Sequence, residues 1–528
     1  MCQYKVTHLA ASAVIMNPFI ISRLPWLGRV FILLICTALS IESHSAASKK
    51  LAFLDQSVEA PYPLTMGVIA GNFLSQPGKE LLTISLDENK NRWLIIYIYD
   101  VILQKYTVTD KTAIPRSFHS FDIGQSKQVL AKKALQTIYF TSSSGLYEYQ
   151  KGQFIQRAAI KSLYLEPEAV YLMRGDFVRD LNNDTFDDVV VTNFSQTVLL
   201  IGREDNRFFR QVLPVKPQMS LEQKTISYTP VTLFFADVNF DNRIDISRVG
   251  EGEIEVFLQL ENGQFNETAE TISVNASISS LEWWTKRGES GEQLDQSNLE
   301  SRMLDALRDL NGDGIADMVV KYSKASGVLD RANDYEIYLG TKVLGRLVFA
   351  KQPSSVIRAD GVLTGLDFSD LDNDDMLEVL LVGFDIGLTQ IIGALVSGSI
   401  DQDVYVFKMN GASSYGRKPI FRKKVDLNFS LSSGQTGTPV VKLGDVNGDG
   451  LKDLILSAGD NKLRIYYGKS DSKMFAKRSV SYKTHLPSDG DLVSVNDLNY
   501  DGKDDLLMSF SAADGEDSTK IFIVLLAR

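Results

Sequence analysis

Six stretches of nine residues carry oxygen-bearing side chains at alternate positions. The clearest runs Asp445-Val446-Asn447-Gly448-Asp449-Gly450-Leu451-Lys452-Asp453. Positions 1, 3, 5 and 9 of that stretch are Asp445, Asn447, Asp449 and Asp453. The same positions hold Asp180, Asn182, Asp184 and Asp188; Asp237, Asn239, Asp241 and Asp245; and Asp309, Asn311, Asp313 and Asp317. Asp370, Asp372, Asp374 and Glu378 form a fifth set, and Asp497, Asn499, Asp501 and Asp505 a sixth. Carboxylate and amide oxygens at this spacing, with a turn-prone residue at position 6, suit a hard cation such as Ca²⁺. The plain alternative is an Asx turn without metal. Three or four carboxylates within nine residues repel one another unless a cation enters. Six copies in register, each leading into an apolar run, favour the cation. Ligands donated wholly by one loop leave few open positions for a substrate, and calcium does not activate water as zinc does. The expected role of the ion is therefore structural.

Other chemistry is sparse. Once an N-terminal signal is set aside, only His119 and His485 remain as imidazoles, and no His pair, nucleophile elbow or phosphate loop accompanies them. Arg174-Gly175-Asp176 spells an adhesion tripeptide, but it sits directly before the 180 loop, where Gly-Asp has a local reason to occur. Trp283-Trp284 lie in a polar stretch. They could form a sugar-stacking or protein-docking surface; the plainer reading is one ring on the core and one over a strand edge. A second stretch is locally basic (Arg417, Lys418, Arg422, Lys423, Lys424) and reads as a solvated loop.

The 528 residues are 44% hydrophobic, enough for a large core, and the net charge is −11. That charge argues against nucleic acid as a partner. Nineteen carboxylates at loop ligand positions account for it locally, and six bound Ca²⁺ would offset about twelve charges. The two cysteines, Cys2 and Cys36, both fall in a segment expected to be removed. Val30–Leu39 is a ten-residue apolar run, preceded by Arg23 and Arg29 and followed by Ser45-Ala46-Ala47. It matches a signal peptide (1–47) and is too short to span a bilayer comfortably. Met16 is an alternative start. A lipid anchor at Cys36 meets a poor neighbour in Ile35, and an uncleaved signal anchor is a further option. The expected location is periplasm, cell surface or extracellular space.

The loops start 57, 72, 61, 75 and 52 residues apart, room for about four short strands each. Val189–Val191, Ile246–Val249, Met318–Val320, Val379–Val382, Leu454–Leu456 and Leu506–Met508 predict the strand after each loop. Two fainter copies precede residue 180. One runs from Asn72 to Glu80, with Leu74 and Pro77 against a metal. The other starts near Asp122, where Gly124, Ser126 and Leu130 remove the ligands. Eight four-stranded units predict an all-β fold, a closed β-propeller of eight blades, or seven if the 122 unit is an elaboration; an open solenoid fits less well. The last unit lacks a strand, which Leu51–Leu54 can supply from the other end of the chain, hiding an edge.

The pattern Asp-x-Asn-x-Asp-Gly-x-x-Asp, between apolar residues and a strand, resembles the FG-GAP/VCBS repeat of integrin α-subunit propellers and many exported bacterial proteins. The resemblance covers nearly all of residues 60–528 and is best at 309, 445 and 497. It implies a single propeller domain over 48–528, with insertions near 266–303 and 410–436. The cation would lie in the loop between the first two strands of a blade. Position 7 would add a backbone carbonyl, at Ile315, Leu451 and Lys503, and by the same alignment at Phe186, Arg243 and Met376. The departures fall at position 6, where a left-handed backbone favours Gly: Asn242 and Asp375 tolerate it moderately, and β-branched Thr185 poorly. Four to six structural Ca²⁺ are expected. So is a binding, adhesion or scaffold role toward a protein or glycan, as a monomer or within a cell-envelope complex. The alternative is a polysaccharide-active lyase or hydrolase on the same scaffold, because some exported pectin-degrading lyases resemble this architecture.

Overall fold

A computed structural model describes residues 52–528, apart from 125–134, 170, 223–224, 251, 281–298, 326–330, 359–361, 385–398 and 431–434. The expected signal peptide, Cys36 and Trp283-Trp284 lie outside the described residues. Within them there is no α-helix, and no helix long and apolar enough to cross a membrane.

Eight sheets built on antiparallel meanders follow one another along the chain as the blades of a propeller, and blades 2 and 5 carry a short parallel strand, Met173–Arg174 and Ile278–Ser279, beside the first strand of the meander. Each is a meander from its innermost strand outward. Blade 1 begins at Ile69–Gly71, blade 2 at Phe118–Ile123, blade 3 at Val178–Arg179 and blade 4 at Phe234–Ala236. Blades 5 to 8 begin at Glu300–Arg308, Val362–Ser369, Val441–Gly444 and Val493–Asn496. The unit at Asp122 is a full blade, which settles the count at eight.

Closure works as the missing strand required. Phe53–Glu59 pairs antiparallel with Ile521–Ala527, in register from Phe53↔Ala527 to Glu59↔Ile521, and completes blade 8 from outside.

The core lies between blades rather than within any one. Val189, Val191, Val198 and Leu200 of blade 3 pack with Tyr139 and Leu146 of blade 2. Val379, Leu381 and Tyr405 of blade 6 pack with Val319, Tyr335 and Ile337 of blade 5. Phe522 and Val524 of blade 8 meet Leu81, Ile95 and Tyr97 of blade 1, so the seam is sealed like every other interface. Both faces of a blade are thus buried. That is why second strands read as continuous apolar runs and not as alternation.

Parts of the two expected insertions, near 266–303 and 410–436, are strands of the blades. Phe421–Ser430 is the fourth strand of blade 6, and Glu270–Ser273 the fourth strand of blade 4. The basic residues misled because this outer strand pairs its cations across the sheet: Arg422 with Asp403 at 2.7 Å and Lys424 with Asp401 at 2.8 Å.

Candidate cation loops and the opposite face

All six acidic loops join the first strand of a blade to its second, in blades 3 to 8. Their backbones are alike. Positions 4 and 6 are left-handed in every copy, with φ between 56° and 86°. This turns the N–H of position 6 onto the position-1 carboxylate, at 2.7–3.1 Å in each loop. Position 4 went unnoticed in the sequence because its residues differ so much: Asn183, Phe240, Gly312, Asn373, Gly448 and Tyr500. An aromatic side chain there carries a strain of roughly 1–2 kcal/mol.

The side chains form a second layer. In five loops the position-3 Asn donates its Nδ2 to the position-5 carboxylate at 2.9–3.2 Å. The Asn Oδ1 in turn accepts the position-5 N–H at 2.8–3.2 Å. The N–H of position 7 (Phe186, Arg243, Ile315, Met376, Leu451, Lys503) donates to position 5 at 2.8–3.1 Å.

Position 9 acts differently. Its carboxylate is buried and accepts the N–H of position 2 at 2.7–3.1 Å in all six loops. In five loops its other oxygen accepts a backbone N–H from the end of the third strand or just beyond it, at Gly202, Gln259, Gly340, Gly468 or Ala527. One side chain thus ties the loop to two strands. Position 2 is a buried Leu or Val in every loop, a regularity the sequence also held.

The loops suit a hard cation. Their donors are all oxygens, and the buried position-9 carboxylates lack positive charge. Burial, followed by the carboxylates at positions 5 and 1, pushes Asp188, Asp317, Asp453 and Asp505 up to about 7 and Asp245 to about 6. The 237 loop is partly answered already, since Arg243 reaches Asp241 at 2.6 Å.

The 370 loop stands apart. Asp370, Asp372 and Asp374 bring carboxylate oxygens within 4.8 Å of one another. The Lys408 ammonium lies among this loop's carboxylates, bonded to Asp372, 2.9 Å from Asp374 and 3.6 Å from Glu378. Burial opposes its charge, but the bonds to Asp372 and Asp374 outweigh that and raise its pKa.

The degenerate units keep fragments of this design. In blade 1 Glu80, at position 9, accepts from Phe73 N at 2.7 Å and Leu74 N at 3.0 Å. In blade 2 Asp122 instead accepts from Phe177 and Val178, holding the innermost strand of blade 3.

The antiparallel meander puts the connections between blades, and the turns between second and third strands, at the end away from the acidic loops. A cavity of about 660 Å³ lies against the inner strands of blades 2, 3 and 4 and reaches Arg179, next to the 180 loop. Tyr164, Arg174, Asp176, Arg179, Tyr228 and Phe235 line it. Arg174-Gly175-Asp176 therefore does border a cavity. Its Asp176 is paired with Arg179 at 3.0 Å, and the Arg179 guanidinium lies 4.1 Å over Phe235. His119 is buried under the Tyr164 ring, 4.2 Å away, and burial lowers its pKa. His485 stacks on Phe510 in another blade.

Residues 445–508 match the FG-GAP-like repeat. No curated protein matches the chain. Among solved structures it is similar to a lectin of Agrocybe aegerita that recognises non-reducing terminal N-acetylglucosamine. Identity is 13% over 81% of this chain and 99% of the lectin, with a TM-score of 0.35. It is also similar to the WD40 domain of SCAP from fission yeast, at 10% identity over 89% and 98% of the two chains and a TM-score of 0.35. The V. cholerae biofilm matrix protein Bap1 is 12% identical over 78% and 88%, with a TM-score of 0.26.

Proposed function

We propose that this eight-bladed propeller, whose residues 445–508 match an FG-GAP-like repeat, is an exported, calcium-dependent binding module for a protein or glycan partner. Calcium is assigned to the Asp/Asn loops at 180, 237, 309, 445 and 497. Bound there, it supplies the positive charge that the buried position-9 carboxylates lack and stiffens the inner turn of each blade. A stability that tracks external Ca²⁺ by mass action follows. Export is supported by the apolar N-terminal run and by the absence of cysteine from residues 52–528.

The observation that carries the binding reading is the cavity against the inner strands of blades 2, 3 and 4. It combines aromatic and charged side chains in a volume suited to a small ligand or a sugar unit. Binding is favoured over catalysis by what its polar groups already do. Arg179 is neutralised by Asp176, and the nearest imidazole, His119, is buried behind Tyr164.

The test is a glycan and peptide array probed in Ca²⁺ with wild type and with Tyr228→Ala. A ligand bound by wild type and lost in a folded Tyr228→Ala variant supports the cavity. A ligand held equally by both moves the site elsewhere. Turnover of a polysaccharide by the wild type would replace the binding reading with an enzymatic one.

A further inference from the structure

We infer that the 370 loop is closed by the Lys408 ammonium and takes no calcium. The inference builds on the calcium reading of the other five loops but is decided by separate measurements.

Three differences occur together in blade 6. Position 3 is Asp372 where the other loops have Asn, and position 9 is Glu378 where they have Asp. The third is Lys408, the residue just beyond the strand Ser399–Phe407. Strand register places Lys408 opposite the same point as Ile201, Leu258, Leu339, Tyr467 and Leu526. Those five are apolar or aromatic, and Lys408 is the single cation of the series.

The three changes fit one another. An aspartate at position 3 has no N–H for the position-5 carboxylate, and Lys408 Nζ makes that bond instead, to Asp374 Oδ2 at 2.9 Å. The same ammonium bonds Asp372 Oδ2. In the other loops the second oxygen of position 9 accepts a backbone N–H; here Glu378 Oε1 faces Lys408 Nζ at 3.6 Å. The longer Glu side chain supplies that reach. Calcium would sit about 2.3–2.6 Å from these oxygens, overlapping the ammonium, so the two cations exclude each other. Formal charge does not decide the matter, because the extra carboxylate and the lysine cancel. The place of the ammonium decides it: Nζ already bonds Asp372 Oδ2 and Asp374 Oδ2, and Asp372 Oδ1 and Glu378 Oε1, buried without a hydrogen-bond partner, have that ammonium as their near cation. The side chain is anchored between buried Phe407 and Met409, and only 21% of it is exposed.

The test is amine acetylation of the full chain, followed lysine by lysine by mass spectrometry, in Ca²⁺ and in chelator. Lys424, ion-paired but 63% exposed, is the internal reference. Lys408 is expected to react at least about tenfold more slowly than Lys424, and equally slowly in both conditions. Faster labelling of Lys408 in Ca²⁺ means that the ion evicts the lysine and overturns the inference; so does labelling at the Lys424 rate in chelator. Lys408→Met, which copies the apolar residues of the other blades, is expected to bind one more Ca²⁺ than wild type by native mass spectrometry. Equal non-zero counts in wild type and the folded variant also overturn it. If wild type binds no calcium at all, the reading of the other five loops fails, and the labelling in chelator still decides the role of Lys408.

Discussion

The turn at 72–80 in blade 1 and the loop at 445–453 in blade 7 occupy the same place in their blades but share only part of their hydrogen bonding. Both keep an acidic position 9 that accepts from the position-2 N–H: Glu80 from Phe73, and Asp453 from Val446. Both keep a contact to a neighbouring blade. Lys79 N donates to Leu498 O at 2.7 Å, and Asn373 Nδ2 of blade 6 to Gly450 O at 3.2 Å. Only the blade 7 loop gathers carboxylates at positions 1 and 5 with an amide at 3. The nine-residue loop therefore does two separable jobs. Positions 2 and 9 fasten the blade, and positions 1, 3 and 5 are the ones proposed to hold the cation. Blade 1 shows that the first job survives the loss of the second.

The largest effect expected from this division comes from breaking position 9. Asp453→Ala leaves the buried N–H groups of Val446 and Gly468 without their acceptor. Each costs about 1–3 kcal/mol. Urea unfolding should show the loss with or without calcium. Asp449→Asn, at position 5, should instead lose stability only in calcium, by roughly the 2–4 kcal/mol that a well-filled site contributes. Equal losses for Asp449→Asn in chelator and in calcium would erase the distinction.

The next effect is a pH dependence that reverses with the ion. Asp188, Asp317, Asp453 and Asp505 are raised to about 7 in the folded chain by burial, above the ordinary aspartate value of 3.8. The folded state then binds more protons than the unfolded one between these values, and stability falls as pH rises through that window. In chelator the melting temperature should drop from about pH 4 to pH 7. In excess Ca²⁺ it should hold or rise, because the ion binds only deprotonated ligands. A chelated protein that melts higher at pH 7 than at pH 4 would contradict the burial argument.

The smallest effect sharpens the comparison among the loops themselves. Thr185 sits at φ 77° where three other loops have Gly. Thr185→Gly should stabilise the chain by about 1 kcal/mol through relief of left-handed strain, and should raise the calcium affinity of that blade alone in a titration.

Much of this was legible in the residues. The spacing of the acidic positions marked the loops, and the shortage of strands after residue 505 pointed to the N-terminal segment that closes blade 8. Three features were hidden for physical reasons. Left-handed position 4 tolerates unlike side chains, so Phe240 and Tyr500 disguised it. Lys408 lies thirty residues past Glu378 in sequence, and only strand register brings the two together. The outer strand Phe421–Ser430 looked like a loop because its cations are answered by Asp401 and Asp403 on another strand, a pairing that local composition does not reveal.

The joining of Phe53–Glu59 to Ile521–Ala527 makes the molecule a covalent thread wound into a hydrogen-bonded circle. During synthesis Phe53–Glu59 must wait, unpaired, until Ile521–Ala527 has emerged, so blade 8 completes only after the other seven have been made. Once closed, the circle tolerates a break. A protease that cuts one surface turn leaves both fragments held at blade 8 and across the cut blade. New ends opened at such a turn, with Phe53 joined to Ala527 by a short linker, should give a ring of the same shape.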